Sequence, residues 1–493
     1  MKSKTTGSTI ARNASWLFAA TTMQKVVAFV AFTIAARIVG PTVIGEYFFA
    51  VAMTSTFVVI ADLGMTSVVI RGLAAHAEEG RRLLGAAIRL KLFLIPLSVI
   101  VALVYGAVRQ IDPIVWQTLI VMVLVMSADA LHLLFYGALR GKQLLRFEAI
   151  GMFVGQLLSG AVAVSAAFLG WGAPGLASAL LIGSVWNVGW SWLQLGREGI
   201  QMRAPTKADI SLLIRQAIPF AFAGIFVKVY SYLDTMMIEA FHDKVAVGNY
   251  AVAYKVTYAF QFIPLVFVAA LYPAMSSVFA DRDTKKMKEV FAGSLRIMAI
   301  IAAPLAAGIS AIAPKAIVLM YHTSFLGAIA PLAILSWVLI PIFLDFPVGS
   351  LLNATHRAHL KTSAMGATMV VNALLNFLLV PSLGPVGAAW AGLGSFTFLF
   401  AIGIVFAWKD LPSPTWLMSL LARSALVAAS VWFSVHWTIE IMPLLLVILF
   451  GGSIGVIVLL LTKLLTIQEV ASVVRWMHAR IRPSQVEEED VHV

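Results

Sequence analysis

The sequence predicts an all-α polytopic membrane protein of fourteen transmembrane helices, and three observations lead there. Hydrophobic residues make up 61% of the 493 and charged residues only 12%, with apolar runs of about 20 residues recurring from end to end, so lipid is the solvent for most of the chain. Basic residues collect between alternate apolar runs, the pattern that orients helices in a bilayer. One stretch also occurs twice: at an offset of 203 positions, Arg12 falls on Arg215, Lys25 on Lys228, and Gly45, Glu46, Tyr47 on Gly248, Asn249, Tyr250. Weak internal repeats with polar groups near the membrane midplane are the usual architecture of secondary transporters.

At about 20 residues per pass, the spans fall at 13–38, 44–69, 90–108, 114–138, 149–170, 174–195, 214–239, 247–276, 293–313, 327–350, 364–382, 386–407, 417–437 and 441–462. Met1 to Thr9 is polar and the first apolar run lacks a small-residue cleavage site, so it reads as a spanning helix and not a signal peptide. With the N-terminus in the cytoplasm, 28 of the 35 Lys and Arg fall in inner segments and only Arg109, Lys244 and Lys315 in outer ones. Lys25, Arg37, Lys228 and Lys255 lie within spans. Both termini are therefore expected on the cytoplasmic side of a cell (inner) membrane.

The outer connections are short and rich in turn formers, such as Gly40-Pro41 and Gly384-Pro385. Two inner connections, 80–91 and 281–289, are basic and compatible with helix. Beyond the last span, Val470, Val473, Val474, Met477 and Ile481 share one face at helical spacing, an amphipathic helix for the inner leaflet surface. Glu487 to Asp490 form an acidic, solvated end.

A net charge of +12 in a soluble protein would raise the question of nucleic acid, but here the charge lies in short interhelical segments beside the bilayer. The absence of cysteine excludes disulfides and thiolate metal sites. No phosphate-binding glycine loop, nucleophile elbow or metal-spaced histidine pair occurs, so no enzyme, metal or cofactor is expected. His356 and His359, beside Arg357 and Lys361, read as a solvated inner loop.

Charged residues inside the spans are the candidate functional set. A lysine at a helix centre costs roughly 2.5–3.5 kcal/mol in hydrocarbon on insertion scales, so Lys25 and Lys228 are expected to face protein or water. One reading is structural, with each lysine snorkelling or paired to a carboxylate such as Asp62 or Asp234. The other makes them two walls of one cavity, whose mutual repulsion an anionic ligand relieves. Lysine suits phosphate as a strong point charge. Arg37 lies roughly 18 Å outward of Lys25 by helical rise, and either marks the outer end of the same path or snorkels to outer headgroups. Lys255 closely follows Tyr250 and Tyr254. Tyr250, Tyr254 and Tyr258 repeat every four residues, as a packing stripe or as a polar aromatic wall for a sugar. Asp62, Asp129, Asp234, Glu239 and Asp345 are the acidic candidates, serving either as internal ion pairs or as a coupling site for a proton or sodium ion.

Several motifs add up to a family resemblance. Arg37-Ile38-Val39-Gly40-Pro41, then Gly45-Glu46-Tyr47, then Asp62-Leu63-Gly64 with Arg71, open the chain. Leu352-Asn353-Ala354 with Arg357, Asn372, Leu375-Asn376, Val380-Pro381 and the run from Gly384 to Ala389 follow in the second half. In order and spacing this resembles the polysaccharide and oligosaccharide-lipid flippases, including the O-antigen type, of the multidrug/oligosaccharidyl-lipid/polysaccharide exporter superfamily, over residues 10–407. Thr355-His356 departs from the glycine that many relatives place before the basic residue.

The resemblance implies two pseudo-symmetric six-helix lobes, 1–205 and 206–410, around a central cavity open alternately to either side. Two peripheral helices at 411–463 and a cytoplasmic segment at 464–493 complete the expected organisation. It further implies that an oligosaccharide on a polyprenyl pyrophosphate moves from the inner to the outer leaflet for surface polysaccharide assembly. Membrane lipids and polysaccharide polymerase machinery are the other expected partners. Lys25, Arg37, Lys228, Lys255 and the three tyrosines then become substrate-binding candidates. The alternatives are a lipid II flippase, a multidrug cation antiporter with an acid in place of lysine at the core of its N-terminal lobe, and a non-transporting scaffold for the polymerase.

Overall fold

The computed structural model describes residues 5–469, among which no strand occurs. The expected inner-leaflet helix at 470–481 and the acidic end lie outside the described residues, as do Lys2 and Lys4. The first half comprises α1 (Thr5–Asp62), α2 (Met65–Ala75), α3 (Ala77–Val108), α4 (Pro113–Gly141), α5 (Leu145–Phe168) and α6 (Gly172–Arg197). The second half comprises α7 (Lys207–Phe241), α8 (Lys244–Ala259), α9 (Phe262–Ala280), α10 (Thr284–Tyr321), α11 (Ile329–Leu335), α12 (Leu339–Ala354) and α13 (Ala358–Phe406). Two further helices, α14 (Pro414–Thr438) and α15 (Leu444–Leu461), pack on each other and on α10.

Twelve described stretches are long and apolar enough to cross a bilayer, and two of them are double. Thr21–Asp62 has 42 residues and Ala358–Phe406 has 49. As single rods these would reach roughly 63 and 74 Å, about twice a hydrocarbon core of ~30 Å. Each is broken by one glycine outside helical geometry, Gly40 (φ 80°, ψ 175°) and Gly384 (φ 54°, ψ −131°), conformations open to a residue without Cβ. Pro41 and Pro385 then restart the helix where a missing N–H costs nothing. Counting both arms of each gives fourteen passes. Helix starts are capped where they leave the apolar layer: Thr206 and Asp209 form a reciprocal capping box on α7, and Asp243, Asp283 and Ser413 cap α8, α10 and α14.

Three spans depart from the expected continuous rods. The second breaks at Leu63 and Gly64, both left-handed, before α2. The eighth breaks between α8 and α9, where Pro264 has no N–H to return to the Phe260 carbonyl. The tenth is assembled from α11, a 3-10 turn at Ser336–Val338 and α12, with Pro341 removing the bond to Trp337. Pattern reading joined these pieces because hydropathy is blind to a single missing donor.

Inside, small residues bring helices close, while large apolar side chains such as Leu92 and Phe93 of α3 or Phe377 and Leu378 of α13 are exposed on the outer face, as a lipid solvent requires. Ion pairs fix the inner ends at matching places in the two halves. Arg146 at the start of α5 meets Glu198 after α6 at 3.7 Å, and Arg357 before α13 meets Asp410 beyond it at 2.7 Å.

Candidate functional site: a charged interior between the halves

The largest buried cluster joins α1 of the first half to α8 and α10 of the second. The in-span cations face this seam. Lys255 of α8 lies 5.5 Å from the ring centroid of Phe32 and 5.9 Å from that of Phe48, both on α1. Lys25, also on α1, is close enough to repel it electrostatically. Lys228 of α7 stands 5.5 Å from the Tyr232 ring, and its charge reaches Asp129 of α4 in the first half. Charge thus acts between Lys25 and Lys255, and between Lys228 and Asp129.

Several polar side chains along the seam keep accessible surface. Lys255 is one, Asp129 with 39% of its side chain accessible is another, and Tyr47, Tyr230, Tyr254 and Tyr258 are the rest. These side chains gather along the seam between the halves. Its aromatic side is drawn from four helices: Tyr254 and Tyr258 stack at 4.1 Å, Phe48 lies 6.1 Å from Tyr254, and Tyr230 packs edge-on to Phe396 of α13 at 5.9 Å. Tyr250, at 1% exposure, stands behind these rings. Its hydroxyl donates to Asp234 and fastens α8 to α7.

The remaining candidate acids are held locally. Asp62 accepts from Lys91 at 2.9 Å and from Thr66 at 2.6 Å, and Lys91, with none of its side chain exposed, also donates to the Ala61 carbonyl at 3.0 Å. An inner-segment cation by sequence, Lys91 is thus turned wholly into the protein. Asp129 accepts from Ser184 at 2.6 Å and lies 3.5 Å from His132. Asp234 accepts from the Thr235 amide at 2.7 Å, and Asp345 pairs with Lys361 at 2.5 Å.

At the ends carrying the Gly40 and Gly384 breaks, expected from the charge pattern to face outward, the halves are tied across the seam. Arg37 donates to the Leu319 carbonyl at the end of α10, and Thr33 meets Tyr321 at 3.1 Å. Arg109 pairs with Glu239 at 2.8 Å, and Lys244 reaches both Glu46, at 3.7 Å, and Asp112. The repeat-related glycines Gly45 and Gly248 sit where these helices touch. A Cβ on Gly45 would overlap the Lys244 carbonyl, and one on Gly248 would overlap that of Pro41. On the inner side Gly64 abuts Phe220, and Arg71 lies 4.8 Å from the Phe220 ring centroid. Beside them a cavity of about 470 Å³ with apolar walls runs between Leu63, Leu90 and Leu94 of the first half and Ile214, Ile218 and Phe222 of α7.

Over residues 10–279, more than half of its length, the sequence matches the family described as polysaccharide biosynthesis protein. The chain belongs to that family. A second family, MatE, matches residues 219–378. This family member is 25% identical over 395 residues to the probable low-salt glycan biosynthesis flippase Agl15 of Haloferax volcanii, covering 78% of this chain and 81% of that protein. Its fold is similar to lipid II flippase MurJ in an inward closed conformation, with TM-score 0.74 and 14% identity over 94% of this chain and all of that one. It is also similar to an inward-facing multidrug resistance MATE family transporter of the MOP superfamily, with TM-score 0.67 and 18% identity over 81% and 95% of the two chains. The chain is thus a multi-pass membrane protein whose relatives are flippases and transporters rather than enzymes.

Sequence reasoning missed Tyr47, Tyr230, Tyr232 and Phe396 as site residues, and the Arg109–Glu239 tie. Tyr232 had a signal, lying one helical turn beyond Lys228. Tyr47 had one too, as the repeat partner of Tyr250. Phe396 had none, because only tertiary packing brings α13 to these rings.

Proposed function

We propose that this chain flips an oligosaccharide linked to polyprenyl pyrophosphate from the inner to the outer leaflet of a cell (inner) membrane, supplying surface polysaccharide such as O-antigen or exopolysaccharide. The observation that carries the reading is the gathering of Lys255, Lys25 and the accessible Tyr254 and Tyr258 along the seam, in a chain of the polysaccharide biosynthesis family, and in this reading the substrate is held in a void between the halves there. Lys25 and Lys255 repel one another, and a diphosphate between them turns that repulsion into two attractions. Lys228, partly balanced by Asp129, is a third contact for which the diphosphate competes. Stacked Tyr254 and Tyr258 offer a flat face to sugar C–H groups and hydroxyls to sugar hydroxyls. The prenyl chain stays in lipid, and the apolar gap between α3 and α7 is where the halves leave room for it.

The two halves act as lobes, 1–205 and 206–410, that rock about the seam, with 411–463 outside the moving pair. The outer ties through Arg37, Arg109 and Lys244 break when the void opens outward. Polymerase machinery takes the product on the outer side.

The test is complementation. In a cell lacking its own flippase, wild-type protein is expected to restore surface polysaccharide, and Lys25→Ala with Lys228→Ala at equal protein level is expected to restore little. Full output from the double variant would refute the role of the lysines. Drug resistance without polysaccharide rescue would refute the substrate.

A further inference from the structure

A polar cavity, of about 380 Å³, opens at the inner ends of α10, α14 and α15, and none of the candidate substrate-binding residues lines it. Its walls include Arg296 of α10, Ser413, Ser419 and Arg423 at the start of α14, and Lys463 just after α15. Arg296 is satisfied within the protein, donating to the Leu464 carbonyl at 2.8 Å and to both oxygens of Glu469 at 2.6 and 2.7 Å. Glu469 is itself locked into a capping box with Thr466. Arg423 and Lys463 differ. Both are exposed, both line the cavity, and neither side chain makes a hydrogen bond or ion pair among the described residues.

Two unbalanced cations converging on one cavity call for an anion, and the place says which kind. The cavity sits where α14 enters and α15 leaves the apolar layer on the side of the inner basic segments. Its chain neighbours Met418 (67% exposed) and Leu461 (76% exposed) present large apolar side chains outward beside it. We propose that this cavity binds the phosphate of an anionic phospholipid headgroup from the inner leaflet, with the acyl chains lying along Met418 and Leu461. Basic pockets between transmembrane helices at this level recognise such headgroups.

One phosphate touching Arg423 and Lys463 would join α14 to α15 beside the Arg296 anchor of α10. At the outer ends Lys315 of α10 already performs this task within the protein, donating to the Ile439 and Met442 carbonyls of the α14–α15 turn. The lipid completes the matching inner tie. This inference stands apart from the flippase reading, because the cavity and the proposed substrate site share no residue.

The experiment uses the purified full chain, with native mass spectrometry and thermal unfolding in phosphatidylcholine with or without phosphatidylglycerol. Wild-type protein is expected to retain phosphatidylglycerol and to unfold several degrees higher with it. In Arg423→Gln with Lys463→Gln, apparent affinity is expected to fall roughly thirtyfold, taking about fivefold for each cation near an anionic surface. Lys463→Gln alone is expected to lose about fivefold, which keeps the test open if the double variant unfolds. Lys409→Gln, an inner cation outside the cavity, is expected to match wild type. Undiminished phosphatidylglycerol binding by the Arg423 and Lys463 variants would overturn the site. Equal protection of wild type by millimolar inorganic phosphate would overturn the lipid assignment in favour of a soluble anion.

Discussion

Lys91 and Lys255 show two ways a cation survives inside a membrane protein. Lys91 is wholly enclosed and matched, with Asp62 and the Ala61 carbonyl as acceptors. Removing one partner of such a pair leaves a desolvated charge, which costs about 3–5 kcal/mol. Asp62→Asn is therefore expected to lower the unfolding temperature in detergent markedly, and adding Lys91→Met is expected to recover most of the loss. A double variant no more stable than the single one would contradict the pairing. Lys255, by contrast, has only the rings of Phe32 and Phe48 to favour its charge and a second lysine to oppose it, with no carboxylate paired to it among the described residues. The mid-span lysines and the Tyr254 and Tyr258 ladder were legible in the sequence because helical period and hydropathy show them directly. Which cation meets which was not. The partners of Lys228 and Lys255 lie on helices separated by long stretches of chain, and repeat symmetry alone pairs Lys25 with Lys228.

At the scale of the element, the repeat had its clearest consequence at the outer ends of α1 and α8. Gly45 and Gly248 were visible as repeat partners, but their function as a backbone-to-backbone contact needed the fold. Gly45→Val and Gly248→Val are each expected to force the outer ends apart, since the new side chain would overlap a carbonyl that cannot retreat. A cysteine placed at Asp112, beside the Lys244 contact, is expected to react several-fold faster with a membrane-impermeant thiol reagent in either valine variant. Unchanged labelling would contradict a closed outer contact at these glycines. The breaks at Gly64 and between α8 and α9 escaped pattern reading for a related reason. One glycine or proline decides them, within a run whose hydropathy never changes.

For the whole molecule, fourteen passes were legible because charge asymmetry and hydropathy constrain each other, so an invented span would have scrambled the inner bias. The seam between the halves was not legible, since it is made of contacts between residues far apart in the chain. Without native cysteine, the chain admits a clean cross-link. Asp112→Cys with Lys244→Cys, replacing an ion pair across the outer seam, is expected to stop transport on oxidation and to release it on reduction. Transport that continues with the cross-link formed would argue against rocking of the halves. The most direct measurement is translocation of a labelled polyprenyl-pyrophosphate oligosaccharide in vesicles holding the purified protein. Wild type is expected to move it across the bilayer. Lys25→Ala with Lys228→Ala is expected to slow it at least tenfold, since each charge-assisted contact to phosphate contributes about 1.5–3 kcal/mol. Equal rates from the two proteins, or no movement by wild type, would contradict a cation-lined void that shelters the diphosphate.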